Sequence, residues 1–114
     1  MKIFKYSFGA FGNNFKNDWF KVTLPKNFKP LSFQLQLAPF HPDDGSLEMW
    51  ALIDEDEEEK EFDFICVGTG IEFDSKEAVY IGTAQDGPYV WHLFYKKETL
   101  WKQITILPVL EVDS

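Results

Sequence analysis

From residue 31 to residue 37 the chain alternates without a break. Leu31, Phe33, Leu35 and Leu37 fall on one side, and Ser32, Gln34 and Gln36 on the other. An extended backbone sends successive side chains to opposite faces, so a period of two describes a strand with one dry face and one wet face. The same signature recurs along the chain. Residues 2–8 place Phe4, Tyr6 and Phe8 together, residues 19–24 end at Pro25, and further runs cover 47–53, 62–67, 78–83 and 89–95. Residues 104–107 are read as a last strand, and 98–103 as no more than one helical turn. No segment longer than about eight residues carries the 3.6-residue period of a helix. The expected fold is all-β: a single small sandwich or partly open barrel of about six to eight short, mostly antiparallel strands.

The connections are written in turn chemistry. Residues 9–18 hold two glycines and three asparagines, yet also Phe11 and Phe15. Residues 25–30 are bounded by two prolines, which interrupt a strand ladder. Residues 38–46 read as a loop around Asp43-Asp44-Gly45. The acidic run 54–61 reads as the charged tip of a hairpin whose returning strand is 62–67. Gln85-Asp86-Gly87-Pro88 reads as a hairpin turn between the last two strong strands. Val67-Gly68-Thr69-Gly70 is echoed by Ile81-Gly82-Thr83-Ala84. Two such units could lie side by side, with glycine admitting a close backbone, and chance explains the echo equally well.

With 114 residues, 45% of them hydrophobic, the chain supports one core, and residues 1–114 are expected to form one domain. No apolar run approaches the ~20 residues of a spanning helix, and the N-terminus lacks the apolar centre of a secretory signal. The single cysteine, Cys66, precludes an internal disulfide and a multi-cysteine zinc site. The net charge is −8, unevenly placed. Residues 1–40 carry six lysines and one acid, and residues 41–114 carry five lysines and eighteen acids. There is no arginine, the usual bidentate reader of phosphate and guanine. An acidic chain without arginine is expected to bind neither duplex nucleic acid nor an anionic membrane.

Several short motifs occur in a fixed order: Lys2-Ile3-Phe4-Lys5-Tyr6, Leu24-Pro25, Trp50-Ala51-Leu52-Ile53-Asp54, Gly68-Thr69-Gly70, Tyr80-Ile81-Gly82-Thr83 and Val90-Trp91-His92-Leu93-Phe94. In this order the chain resembles a family of short proteins of unknown function encoded mainly by bacteriophages and prophages. The resemblance covers about residues 1–96. Residues 9–18 lengthen the first connection, and residues 97–114 form a C-terminal extension. The resemblance implies phage origin and the host cytoplasm as the setting, and it offers no catalytic residues.

The residues themselves point away from catalysis. His41 lies between prolines, His92 lies mid-strand, and no serine sits in a nucleophile elbow. Cys66 alternates with Phe62 and Phe64, so it is expected to point inward as a small hydrophobe. The adjacent acids of 54–59 lack the ligand spacing and the glycine of a calcium loop. They read first as a solvated, self-repelling loop, then as a weak divalent-ion site or a contact for a basic partner. Gly68, Thr69 and Gly70 read as a bulge or strand end. The functional alternative is that their amides, with the Thr69 hydroxyl, hold an anionic group. Twenty residues are aromatic, and most must be core. Phe11, Phe15 and Trp19 lie in or beside turn-like sequence next to Lys16, where they read either as a plug of the core or as a recognition surface for a homo-oligomer or a host target.

No enzyme, metal or cofactor is expected. The first functional expectation is a non-enzymatic, anti-defence accessory protein that binds a host protein. The second is a binder that sequesters a small anionic ligand such as a nucleotide immune signal. A minor virion component is a third.

Overall fold

A computed structural model describes residues 1–10, 17–38 and 41–97. The described chain is all-β, with seven strands and no helix. They are β1 (Lys2–Ala10), β2 (Trp19–Pro25), β3 (Lys29–Ala38), β4 (His41–Ile53), β5 (Glu59–Gly68), β6 (Ala78–Asp86) and β7 (Tyr89–Lys96). Every pairing is antiparallel. The strands form two sheets, a three-stranded one in the order β1-β4-β3 and a four-stranded one in the order β2-β5-β7-β6, without closing into a barrel. The last strand expected at 104–107 and the helical turn at 98–103 lie outside the described residues.

Alternation builds the core as expected. Leu47, Met49, Ala51 and Ile53 of β4 are buried, as are Phe62, Phe64 and Cys66 of β5 and Leu93 of β7. These inward rows meet in one cluster with Phe8, Leu24, Phe28, Phe33 and Ala84, so the sheets pack face to face. Aromatic rings run through it. Phe8 lies 5.8 Å from Phe64 and 6.4 Å from Phe33. Phe28 lies 4.9 Å from Phe62 and 5.0 Å from Tyr95, centroid to centroid. At Gly82 of β6 the two sheets approach closely. A Cβ there would lie 3.1 Å from the Cβ of Phe33 on β3.

Four sequence expectations need correction. Residues 41–46 are not a loop but the start of β4, with Gly45 paired to Leu37. Gly45 serves close packing rather than a turn, since a Cβ would sit 2.8 Å from Leu35 Cδ1. Pro25 and Pro30 do not stand outside the ladders. Pro25 ends β2 opposite Glu59, and Pro30 pairs with Ala51 in β3. Both β2 and β3 are edge strands, where a missing N–H can face away from the sheet. Leu31 and Leu37 are 46% and 51% exposed, so only Phe33 and Leu35 of the alternating run turn inward. The register shifts between Pro30 and Ser32, and that irregularity takes Leu31 out of the inward row. Finally, the acidic run is not a hairpin tip. It joins β4 to β5, which lie in different sheets.

That acidic connection is tied down locally. Asp56 N–H donates to Asp54 Oδ1 at 3.0 Å, Lys26 N–H donates to the Glu58 carbonyl at 2.8 Å, and Lys2 pairs with Glu55 at 2.8 Å. Among the described residues no cluster of three metal-ligating side chains forms.

Candidate functional site

At one end of the four-stranded sheet β5 stops and β7 begins, and the glycines between and around them decide the geometry. The β6–β7 turn needs only Gly87 and Pro88, because Gly87 adopts φ +58°, the left-handed value a two-residue hairpin requires at its first position. After β5, Gly70 turns the chain at φ +88°. Asn17, also left-handed at φ 64°, clamps the approach to β2 onto the same place. Its N–H donates to the Cys66 carbonyl at 2.7 Å, and its side-chain Oδ1 accepts from Gly68 N–H at 2.9 Å.

These turns enclose a cleft of about 480 Å³, lined by Asn17, Gly68, Thr69, Ile71, Pro88, Tyr89, Val90 and Trp91. The backbone amides are already committed. Thr69 N–H donates to the Val90 carbonyl at 3.2 Å, and Ile71 N–H to the Gly68 carbonyl at 3.2 Å. With Gly68 N–H held by Asn17, none of these three amides faces a ligand, and most of the cleft's surface is carbon. Tyr89 and Trp91 lie side by side, 6.3 Å apart and nearly parallel. Tyr89 and Ile71 are 58% and 48% exposed.

On the outward face of the same sheet a hydrogen-bonded chain runs from Thr69 to Tyr80. Thr69 Oγ1 meets His92 Nε2 at 2.8 Å, His92 Nδ1 meets Thr83 Oγ1 at 2.9 Å, and Thr83 Oγ1 meets the Tyr80 hydroxyl at 2.6 Å. The two Gly-Thr units of the sequence echo therefore flank β7, and their hydroxyls take the two nitrogens of one imidazole. Both partners are hydroxyls, so no carboxylate orients His92 as the acid of a triad would.

Of the residues singled out from sequence, Gly68 and Thr69 line the cleft and Gly70 shapes its turn. Trp19 lies on the outward face, half-buried. It is paired across the ladder with Ile65, and Ile65 is paired in turn with Phe94. Lys96 holds its ammonium 4.6 Å from the Trp19 ring centroid, a cation–π contact. Ile65 and Val67 are buried on this outer face, apart from the main core, and Phe73 reaches back to Phe94 at 4.9 Å. Phe11, Phe15 and Lys16 lie outside the described residues. Cys66 is fully buried. Sequence reading missed Asn17, Ile71, Tyr89 and Trp91. The one available signal was Gly-Pro between strands, which places Tyr89 at a turn.

Compared with known protein families, residues 1–103 match one described as "Domain of unknown function (DUF7352)". The match reaches beyond residue 96, so part of the C-terminal extension falls within it. No curated protein and no solved structure matches the chain.

Proposed function

We propose that this chain, which belongs to the domain family of unknown function DUF7352, acts by binding rather than catalysis. The cleft between Gly68, Thr69 and the β6–β7 turn would seat an apolar side chain of a protein partner. The observation that carries this reading is the lining: Ile71, Pro88, Tyr89, Val90 and Trp91 supply carbon surface, while the polar backbone beneath is satisfied internally. A concave apolar site rimmed by a large exposed aromatic is how interfaces anchor their strongest contacts. Asn17, which lines the cleft, follows Phe11, Phe15 and Lys16 in sequence.

The motif resemblance supplies the setting. The protein is a phage-encoded accessory factor in the host cytoplasm, and its partner is a host defence protein. The support for a non-enzymatic role is that His92 is engaged by two hydroxyls and Cys66 is sealed in the core.

The test is native mass spectrometry of tagged protein purified from infected or defence-active cells, comparing wild type with the Ile71→Ala/Tyr89→Ala double variant. Both side chains are largely exposed, so the variant should melt within a few degrees of wild type. The expected result is a protein partner retained by wild type and reduced at least tenfold on the variant. Equal retention by both proteins, or a retained small molecule with no protein, would overturn the reading.

A further inference from the structure

The opposite end of the same sheet carries a second cleft of different chemistry. It has a volume of about 380 Å³ and is lined by Lys26, Asn27, Phe28, Lys60, Phe62, Tyr95 and Lys97. Three lysines of a chain that has only eleven, and a net charge of −8, meet here. They come from three places in sequence: the turn after β2, the start of β5 and the residue after β7. Antiparallel pairing brings those places together, with Leu24 opposite Lys60 and Phe64 opposite Tyr95.

The rest of the lining is aromatic. Phe28 packs edge-on to Phe62 and tilted against Tyr95, and Tyr95 stacks on Phe64 at 5.6 Å and 27°. Phe28 and Phe62 are buried, whereas Tyr95 is only partly buried and is the most exposed of the three rings. Acids stand nearby as well: Glu57 accepts from the Asn27 amide at 3.0 Å, and Glu59 and Glu61 flank Lys60 in β5.

Three lysines lining one cleft with a ring supported from beneath suit a ligand with both negative charge and a flat face. Charge alone would bind any anion weakly in salt, and a ring alone would bind many aromatics. The pairing selects a molecule with both, because a base gains by stacking on an aromatic and the ammoniums add attraction to phosphate. From this juxtaposition we infer a binding site for a nucleoside phosphate, its phosphates among Lys26, Lys60 and Lys97 and its base against Tyr95. The site is separate from the cleft at Gly68 and stands or falls independently of it.

The experiment is a titration of ¹⁵N-labelled full-length protein with ATP, tripolyphosphate and adenosine, followed by amide shifts. The expected result is saturable movement with ATP at residues 26–28, 60–62 and 95–97, with tripolyphosphate and adenosine each at least tenfold weaker. Lys60→Gln/Lys97→Gln should weaken ATP at least tenfold while keeping a dispersed spectrum. Lys60→Arg/Lys97→Arg should restore binding, and Tyr89→Ala at the other end should leave it unchanged. The inference is overturned if ATP gives no saturable shifts, or if the glutamine variant binds as wild type does. Tripolyphosphate matching ATP would overturn it too, as that would mark a surface that merely gathers anions.

Discussion

The two ends of the strands β2, β5 and β7 share one ladder and one row of core rings, yet they present opposite chemistry. At the end where β5 finishes, the turn amides of Gly68, Thr69 and Ile71 are consumed by internal hydrogen bonds, leaving a carbon-lined cleft. At the end where β5 begins, Lys26, Lys60 and Lys97 line one cleft with Tyr95. Burial explains neither difference, because Phe62, Phe64 and Cys66 form one inward row along β5 between the two ends. The core fixes where the ends lie, and the few residues that cap each end fix what can sit there. In a sandwich of edge-rich sheets, binding chemistry can therefore change at the turns without disturbing the packing beneath.

The largest expected effect erases the comparison. Phe64 is fully buried in the core that lies between the two ends, and it touches Phe20, Phe28 and Tyr95. Phe64→Ala should cost about 3–5 kcal/mol, measured by urea denaturation, and both clefts should lose definition together. A loss below ~1 kcal/mol would mean the ends do not depend on a common core.

A smaller change should separate the two ends. A Cβ at Gly68 would lie 3.3 Å from Trp91 Cζ3 and 3.7 Å from Ile71 Cγ1. Gly68→Val therefore crowds the carbon-lined cleft and should cost about 1–3 kcal/mol. Amide shifts at residues 26–28 and 95–97 should stay at their wild-type positions. Movement there comparable to that around Trp91 would show that the ends are coupled.

The smallest effect concerns pH and belongs mainly to the lysine end. Burial raises the Tyr95 hydroxyl above its ordinary value of 10.0. Below that value the phenol is neutral in both folded and unfolded chains. Above it the unfolded phenol ionises first, so stability should fall as pH rises toward the folded value. Tyr6 behaves alike, raised by burial and then by the Glu59 carboxylate. Tyr95→Phe should thus flatten part of the alkaline decline in melting temperature and leave neutral-pH behaviour nearly unchanged. An alkaline slope identical to wild type would remove Tyr95 from the account.

What the sequence made legible follows from the physics of each element. Strands of period two were visible because alternation is written directly in the residues, and all seven described strands correspond to runs identified that way. The inward turn of Cys66 came from the same rule. The start of β4 was hidden because Asp43-Asp44-Gly45 has turn composition, and only the leucines of β3 lying over Gly45 reveal why glycine is there. Sheet membership was also hidden. Nothing in the acidic run distinguishes a hairpin tip from a crossing between sheets. The clefts were legible only in part. Gly68 and Thr69 stood out as a motif, whereas Lys26, Lys60 and Lys97 are far apart in sequence and meet only through strand pairing.

The crossing of the acidic run between sheets belongs to a wider pattern of partners separated in time. Lys2 pairs with Ile53, and Trp19 pairs with Ile65. During synthesis, β1 and β2 emerge first and must wait, edges open, for β4 and β5. Only β3 with β4 and β6 with β7 can zip as neighbours. Non-local pairings of this kind slow folding, because each must close a long loop before any contact stabilises it. The lysines and the proline that sit in β1 and β2 then have a role before the native state exists. They blunt two waiting edges against joining the wrong chain.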